Sequence, residues 1–190
     1  LVEVVLEVQD ELEGLSQHVH GPGRCEKFTL PRKSVVRLGW SMKAAHLLGT
    51  RSLEIREVPE PPLGTGEVRI RIEAALTCGT DLKVWRRGYH ARMLQPPCRF
   101  GHELAGVIIE TGPGVSGWRE GDRVVAANSA PCGTCRSCRK GQQQLCSDLL
   151  FLNGAYAESL VVPERIVRTN LHRIPSGLDF GAAAMAEPLA

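Results

Sequence analysis

Beyond residue 42 the chain reads mostly as short strands. Val68, Ile70 and Ile72 alternate with Arg69, Arg71 and Glu73, the period of two that buries one face of a sheet and wets the other. Residues 104–111, 123–126 and 156–162 predict further strands, and residues 42–45 lead into another. Turn chemistry separates them at Pro59-Glu60-Pro61-Pro62, Gly64-Thr65-Gly66, Gly112-Pro113-Gly114 and Pro163. Helical signals are few: a short segment beginning near Thr80 and another over residues 179–185. The pattern predicts a mainly β, α+β domain over residues 42–190. Residues 1–41 share none of it. We expect them to be an N-terminal extension that is not native, with Met42 as the natural start; a poorly packed amphipathic segment is the alternative.

Composition narrows the class without naming a chemistry. Of 190 residues, 43% are hydrophobic and 23% charged, the proportions of a folded globular chain. A net charge of +2, with arginines dispersed among acids, gives no reason to expect a nucleic-acid partner. No run approaches the roughly 18 apolar residues of a spanning helix, so no membrane partner is expected. Glu3, Glu7 and Asp10 interrupt the opening where a secretory leader would be apolar. A reducing cytoplasm is the simplest location, and there the seven cysteines are expected as thiols or metal ligands.

Four of them make the strongest local signal. Cys132, Cys135, Cys138 and Cys146 are spaced C-x2-C-x2-C-x7-C, with Gly133, Thr134, Ser137 and Gly141 letting the loop curl. Four thiolates suit a tetrahedral zinc ion and leave no position for water, which marks a structural site. Arg136, Arg139 and Lys140 would offset part of the charge. An iron–sulfur cluster and a pair of disulfides are the competing readings. Cys25 and Cys98 lack such partners and read as a free thiol and a packing thiol.

A second constellation is spread along the chain: Cys78-Gly79-Thr80-Asp81, then Gly101-His102-Glu103-Leu104-Ala105-Gly106, then Glu187-Pro188-Leu189-Ala190. A cysteine, a histidine and a carboxylate converging from distant segments give three ligands and one open position, as a catalytic zinc requires. Taken singly, each is more often a core or hydrogen-bonded residue.

Gly101-His102-Glu103, with Gly106, Gly112 and Val115 at their offsets, resembles the motif of the zinc-dependent medium-chain alcohol dehydrogenases, and the four-cysteine lobe follows where that family carries one. The resemblance runs from about Met42 to the end, and the Cys-Gly-Thr-Asp and Glu-Pro-Leu-Ala strings resemble the sorbitol (iditol) and threonine dehydrogenase branches more than the liver-type alcohol dehydrogenases. It implies a GroES-like, partly open β-barrel holding one catalytic and one structural Zn2+. Cys78 and His102 are the implied ligands, with either Glu103 or Glu187 as the third. His102 and Glu103 can both reach a metal only if the backbone turns between them, which Gly101 allows. Thr80 would take the alcohol proton, with a helix N-cap as its plainer role. Asp81 would accept the second ring N–H of His102. Lys83 stands where many relatives have a relay histidine; a relay, a cofactor contact and a solvated lysine are all open to it. Trp85, Tyr89 and Phe100 are either pocket or core residues.

The implied reaction oxidises the CH–OH group of an alcohol or polyol with NAD(P) as hydride acceptor, in a protein expected to be a homo-oligomer. We read no G-x-G-x-x-G run following a strand, so we expect the Rossmann domain to be absent and the chain to be truncated and inactive alone. A noncatalytic zinc-binding β-domain acting as an interaction module is the alternative; a zinc-free quinone reductase relative fits the cysteines less well.

Overall fold

The computed structural model describes residues 41–189, and antiparallel strands dominate it. The expectations for residues 1–40 and for Cys25 lie outside the described residues. Met42 itself is 2% exposed in the first strand, β1 (Ser41–Gly49), which turns at Thr50-Arg51 into β2 (Ser52–Pro59). The short β4 (Cys98–Arg99) pairs with the other edge of β1.

The larger sheet takes the order β10 (Leu171–Arg173), β6 (Arg123–Ala126), β5 (Glu103–Thr111), β3 (Val68–Leu76), β9 (Ser159–Val162), every neighbour antiparallel. It keeps two edges, so the barrel is open among the described residues. The predicted strand over 156–162 is shorter than expected: Ala157 makes only an isolated bridge to Ala44 before β9 begins.

Alternation decides which side chains meet. Val68, Ile70 and Ile72 of β3 pack with Leu104, Ile108 and Val124 on one face, where α3 (Glu164–Thr169) adds Ile166 and Val167. On the opposite face Ala105 and Val125 lie under Ala183 and Ala184 of α4 (Phe180–Ala184). Ile70 and Ile108 are fully buried, and each such side chain stabilises the fold by about 1.5–3 kcal/mol. β3 and β5 approach too closely for any side chain at Gly106, where a Cβ would lie 2.1 Å from the Arg71 carbonyl oxygen.

One expectation needs correcting. Gly112-Pro113-Gly114-Val115-Ser116-Gly117 does have G-x-G-x-x-G spacing, and it follows β5. It opens no helix: the chain turns and returns as β6, antiparallel to β5. A dinucleotide-binding fingerprint needs a parallel βαβ crossover, so this run is hairpin punctuation.

Candidate metal centres

Register brings the distant motif residues together. Leu76, the last residue of β3, pairs with Glu103, the first of β5, so the chain leaving β3 at Cys78 lies against the chain entering β5 at His102. Cys78 then caps α1 (Gly79–Arg87): its Sγ accepts the Thr80 N–H at 3.2 Å, and Asp81 returns the capping bond from the Cys78 N–H at 3.0 Å. This corrects the plainer role expected for Thr80, because the N-cap is Cys78 and Thr80 sits inside the first turn. Gly101, at φ +85, turns the backbone ahead of His102; a Cβ there would strike the Tyr156 ring at 2.7 Å.

Ligand-type atoms of Cys78, His102 and Glu103 all lie within 4.8 Å of one another. Cys78 Sγ is 3.4 Å from His102 Nε2, and that nitrogen is 3.8 Å from Glu103 Oε1. Ligands about 2.0–2.3 Å from one tetrahedral ion stand roughly 3.3–3.8 Å apart, so the spacing fits a zinc-sized cation. Glu103 is 1% exposed and its Oε1 has no hydrogen-bond partner among the described residues, a costly state for a buried carboxylate that a cation would relieve.

Behind the trio, Asp81 Oδ1 stands 3.1 Å from His102 Nδ1, and both residues are 2% exposed. The Tyr156 hydroxyl reaches Asp81 Oδ2 at 3.1 Å, the Leu76 carbonyl oxygen at 3.0 Å and Thr77 Oγ1 at 2.9 Å. Tyr156 is a site residue that sequence reasoning missed, since no local spacing ties it to Asp81, seventy-five positions away. Glu187, in α5 (Ala186–Leu189), is outside the trio, although its charge is felt by both His102 and Glu103.

Without a cation, the surroundings shift these groups toward their protonated forms. Burial pushes the Cys78 thiol and the Glu103 carboxyl up. Burial alone would lower the His102 pKa, but the neighbouring Asp81 outweighs it and the net direction is upward. A divalent cation reverses each preference, because it binds the deprotonated forms.

The lobe forms a separate group. Cys132, Cys135, Cys138 and Cys146 also place their sulfurs within 4.8 Å, with Cys132–Cys138 at 4.0 Å and Cys135–Cys146 at 3.9 Å. Cys135 caps the short α2 (Arg136–Arg139), and a small ladder of β7 (Ser129–Ala130) and β8 (Leu150–Phe151) flanks the lobe. Backbone N–H groups of Cys138 and Ser147 draw the Cys135 thiol down to about 5, whereas burial and the neighbouring sulfurs push Cys138 up to about 12. One thiol ionises readily and another resists, as expected of a donor set that needs a cation to ionise fully.

The aromatic residues divide. Trp85 and Phe100 are 4% and 3% exposed and pack with Leu47, Val84 and Leu94, with the partly buried Cys98 against them, so they are core. Tyr89 instead lines a cavity with Thr80 and Lys83 beside α1.

The match to known proteins follows this geometry. Residues 64–175, more than half of the chain, match the alcohol dehydrogenase GroES-like domain. An L-threonine 3-dehydrogenase of Marinomonas sp. (strain MWYL1) is 37% identical over 149 residues, covering 76% of this chain and 42% of its own length. A sorbitol dehydrogenase of Halalkalibacterium halodurans is 35% identical over 147 residues, covering 75% and 41%. A solved zinc-binding dehydrogenase of Sinorhizobium meliloti 1021 bound to NADP superposes with a TM-score of 0.71 at 30% identity, covering 80% of this chain and 43% of that one. The chain thus spans less than half the length of these relatives. With a GroES-like domain matched over residues 64–175 and relatives of this kind, the chain belongs to the zinc-type medium-chain alcohol dehydrogenase family.

Proposed function

We propose that this chain is the zinc-holding catalytic part of an NAD(P)-dependent dehydrogenase that oxidises the CH–OH group of a small alcohol or polyol. The observation that carries the reading is the trio of partly buried Cys78 and buried His102 and Glu103, whose ligand atoms converge within 4.8 Å beside an unpartnered carboxylate oxygen. These three residues would hold one zinc ion and leave one of its four positions open, while Cys132, Cys135, Cys138 and Cys146 would hold a second, structural ion. The catalytic zinc supplies a Lewis acid that favours loss of the substrate hydroxyl proton at neutral pH.

The remaining roles fall to side chains. Asp81 keeps the proton of His102 on Nδ1, so that Nε2 offers its lone pair to the metal. Tyr156 holds Asp81 in turn. Thr80, on the wall of the adjoining cavity, would receive the proton that the alcohol loses and pass it to solvent. Glu187 would contribute charge from outside the ligand set. The hydride acceptor would bind mainly to a nucleotide-binding region outside residues 41–189, a role supported by the NADP-bound relative. Four reduced thiols fit a cytoplasmic setting, where disulfides are rare. A homo-oligomeric parent protein is part of the same reading.

The test uses the protein that contains this chain together with its nucleotide-binding region. Alcohol-dependent formation of NAD(P)H, abolished by Cys78→Ser with the lobe zinc retained, is the expected result. A wild-type protein that carries both zinc ions and reduces no NAD(P)+ across a panel of alcohols and polyols would refute the reading and leave a noncatalytic module.

A further inference from the structure

A cavity of about 290 Å3 is lined at one end by Thr80, whose N–H donates to Cys78 Sγ of the trio at 3.2 Å. One wall is a single face of α1, where Thr80, Lys83, Val84 and Arg87 fall at helical spacing; Tyr89, His90 and Ala91, just past the helix, complete the lining. A helix rises about 1.5 Å per residue, so Lys83 lies roughly 5 Å and Arg87 roughly 10 Å along the axis from Thr80.

The cations of this cavity are unused. Lys83 and Arg87 make no ion pair or side-chain hydrogen bond with a described residue, and no acidic residue lines the cavity. Elsewhere Arg69, Arg71, Arg165 and Arg173 each have a carboxylate within 3.0 Å. A third donor is built in. His90 Nδ1 accepts the Met93 N–H at 3.0 Å and the Arg92 N–H at 3.3 Å, which leaves Nε2 as the N–H of the ring. The segment that presents it is fixed: the His90 N–H donates to the Leu94 carbonyl at 3.0 Å, Asn153 Nδ2 to the Met93 carbonyl at 3.0 Å, and Arg92 Nη2 to the Cys146 carbonyl at 3.3 Å.

Two unpaired cations and an oriented N–H around one small cavity match a phosphate group, for which Arg and Lys give charge-assisted hydrogen bonds. The volume is at the low end for small-molecule sites and suits a compact ligand better than a whole dinucleotide. We propose that this cavity binds the phosphate of a phosphorylated polyol whose reacting hydroxyl lies at the Cys78–His102–Glu103 site, making sugar-alcohol phosphates the substrate class. The proposal rests on the dehydrogenase reading above. The distance along α1 sets the phosphate a few carbon atoms from the hydroxyl that reacts.

The test is calorimetry on the zinc-loaded full chain with inorganic phosphate, sorbitol 6-phosphate, sorbitol, gluconate and NAD+ as separate titrants. Sorbitol 6-phosphate should bind roughly tenfold or more tighter than sorbitol, the difference expected from charge-assisted contacts. The double variant Lys83→Gln/Arg87→Gln should erase that difference and the binding of inorganic phosphate, with zinc content unchanged. Equal affinity for sorbitol and its phosphate, phosphate binding untouched by the double variant, gluconate as tight as the phosphate ester, or displacement of phosphate by NAD+ would each overturn it. A wild-type chain that takes up no zinc at Cys78 under zinc loading, yet still binds inorganic phosphate through Lys83 and Arg87, would sink the dehydrogenase reading and leave the anion site standing.

Discussion

Asp81 separates the folding role of the site from its metal role, because two substitutions affect them differently. Its Oδ2 accepts from the Cys78 N–H and the Tyr156 hydroxyl, and its Oδ1 faces His102 Nδ1, all with Asp81 only 2% exposed. Asp81→Ala strands these donors in the interior at about 1–3 kcal/mol each, which is a large share of the 5–15 kcal/mol that holds a typical domain together. Asp81→Asn keeps the shape. Its carbonyl oxygen can take the Oδ2 contacts, which turns the amide NH2 toward His102 Nδ1. The ring must then accept at Nδ1 and carry its proton on Nε2, facing the metal position. Zinc affinity at the trio should fall about 10–100-fold, the range for lost partners of metal-bound histidines, or roughly 1.4–2.8 kcal/mol. Thermal melts would give stability, and competition with a chromophoric chelator would give the affinity. An Asn variant that binds zinc at the trio as tightly as wild type, or that melts as low as the Ala variant, would refute the reasoning.

Further outcomes follow from other parts of the structure. Cys146→Ser should release the lobe ion alone, read as the loss of one zinc by elemental analysis, because Cys146 is 1% exposed within the four-sulfur group. Gly106→Ala should cost about 3 kcal/mol or more in a denaturant titration, since its Cβ would meet backbone at 2.1 Å. In the metal-free protein, the raised pKa of His102 contributes stability that is full below its ordinary 6.5 and is lost as pH rises through the shifted value. Zinc binds the deprotonated forms, so the rise in melting temperature that zinc gives should grow between about pH 6 and about pH 8; a constant rise would contradict this. Zinc binding to the lobe near neutral pH should release protons, Cys138 being held up to about 12, and calorimetry in buffers of different ionisation enthalpy would detect them.

The legible parts of the molecule were those whose physics is local. The cysteine spacing of the lobe and the alternation of residues 68–72 needed no tertiary knowledge, and each matches a feature of the structure. Cys78, His102 and Glu103 were legible only as strings, since the pairing of Leu76 with Glu103 that joins them is a register between strands twenty-seven residues apart. Tyr156 gave no signal, because its hydroxyl serves a network assembled entirely by folding. The N-cap was misassigned because hydroxyl residues usually cap helices, and here the thiol of Cys78 does so. Trp85 and Phe100 could not be sorted from Tyr89 by spacing, as only folding sends Trp85 and the distant Phe100 to one core and Tyr89, four residues past Trp85, to the cavity.

The central claim, two metal centres of different kinds, is tested most directly by native mass spectrometry of the zinc-reconstituted chain. Two zinc ions per chain are predicted, falling to one in Cys78→Ala and to a different one in Cys135→Ala, with the remaining ion assigned by cobalt absorption of four-thiolate or mixed type. A wild-type chain with a single ion, one with inorganic sulfide in the lobe, or a Cys78→Ala variant that keeps both zinc ions would contradict it.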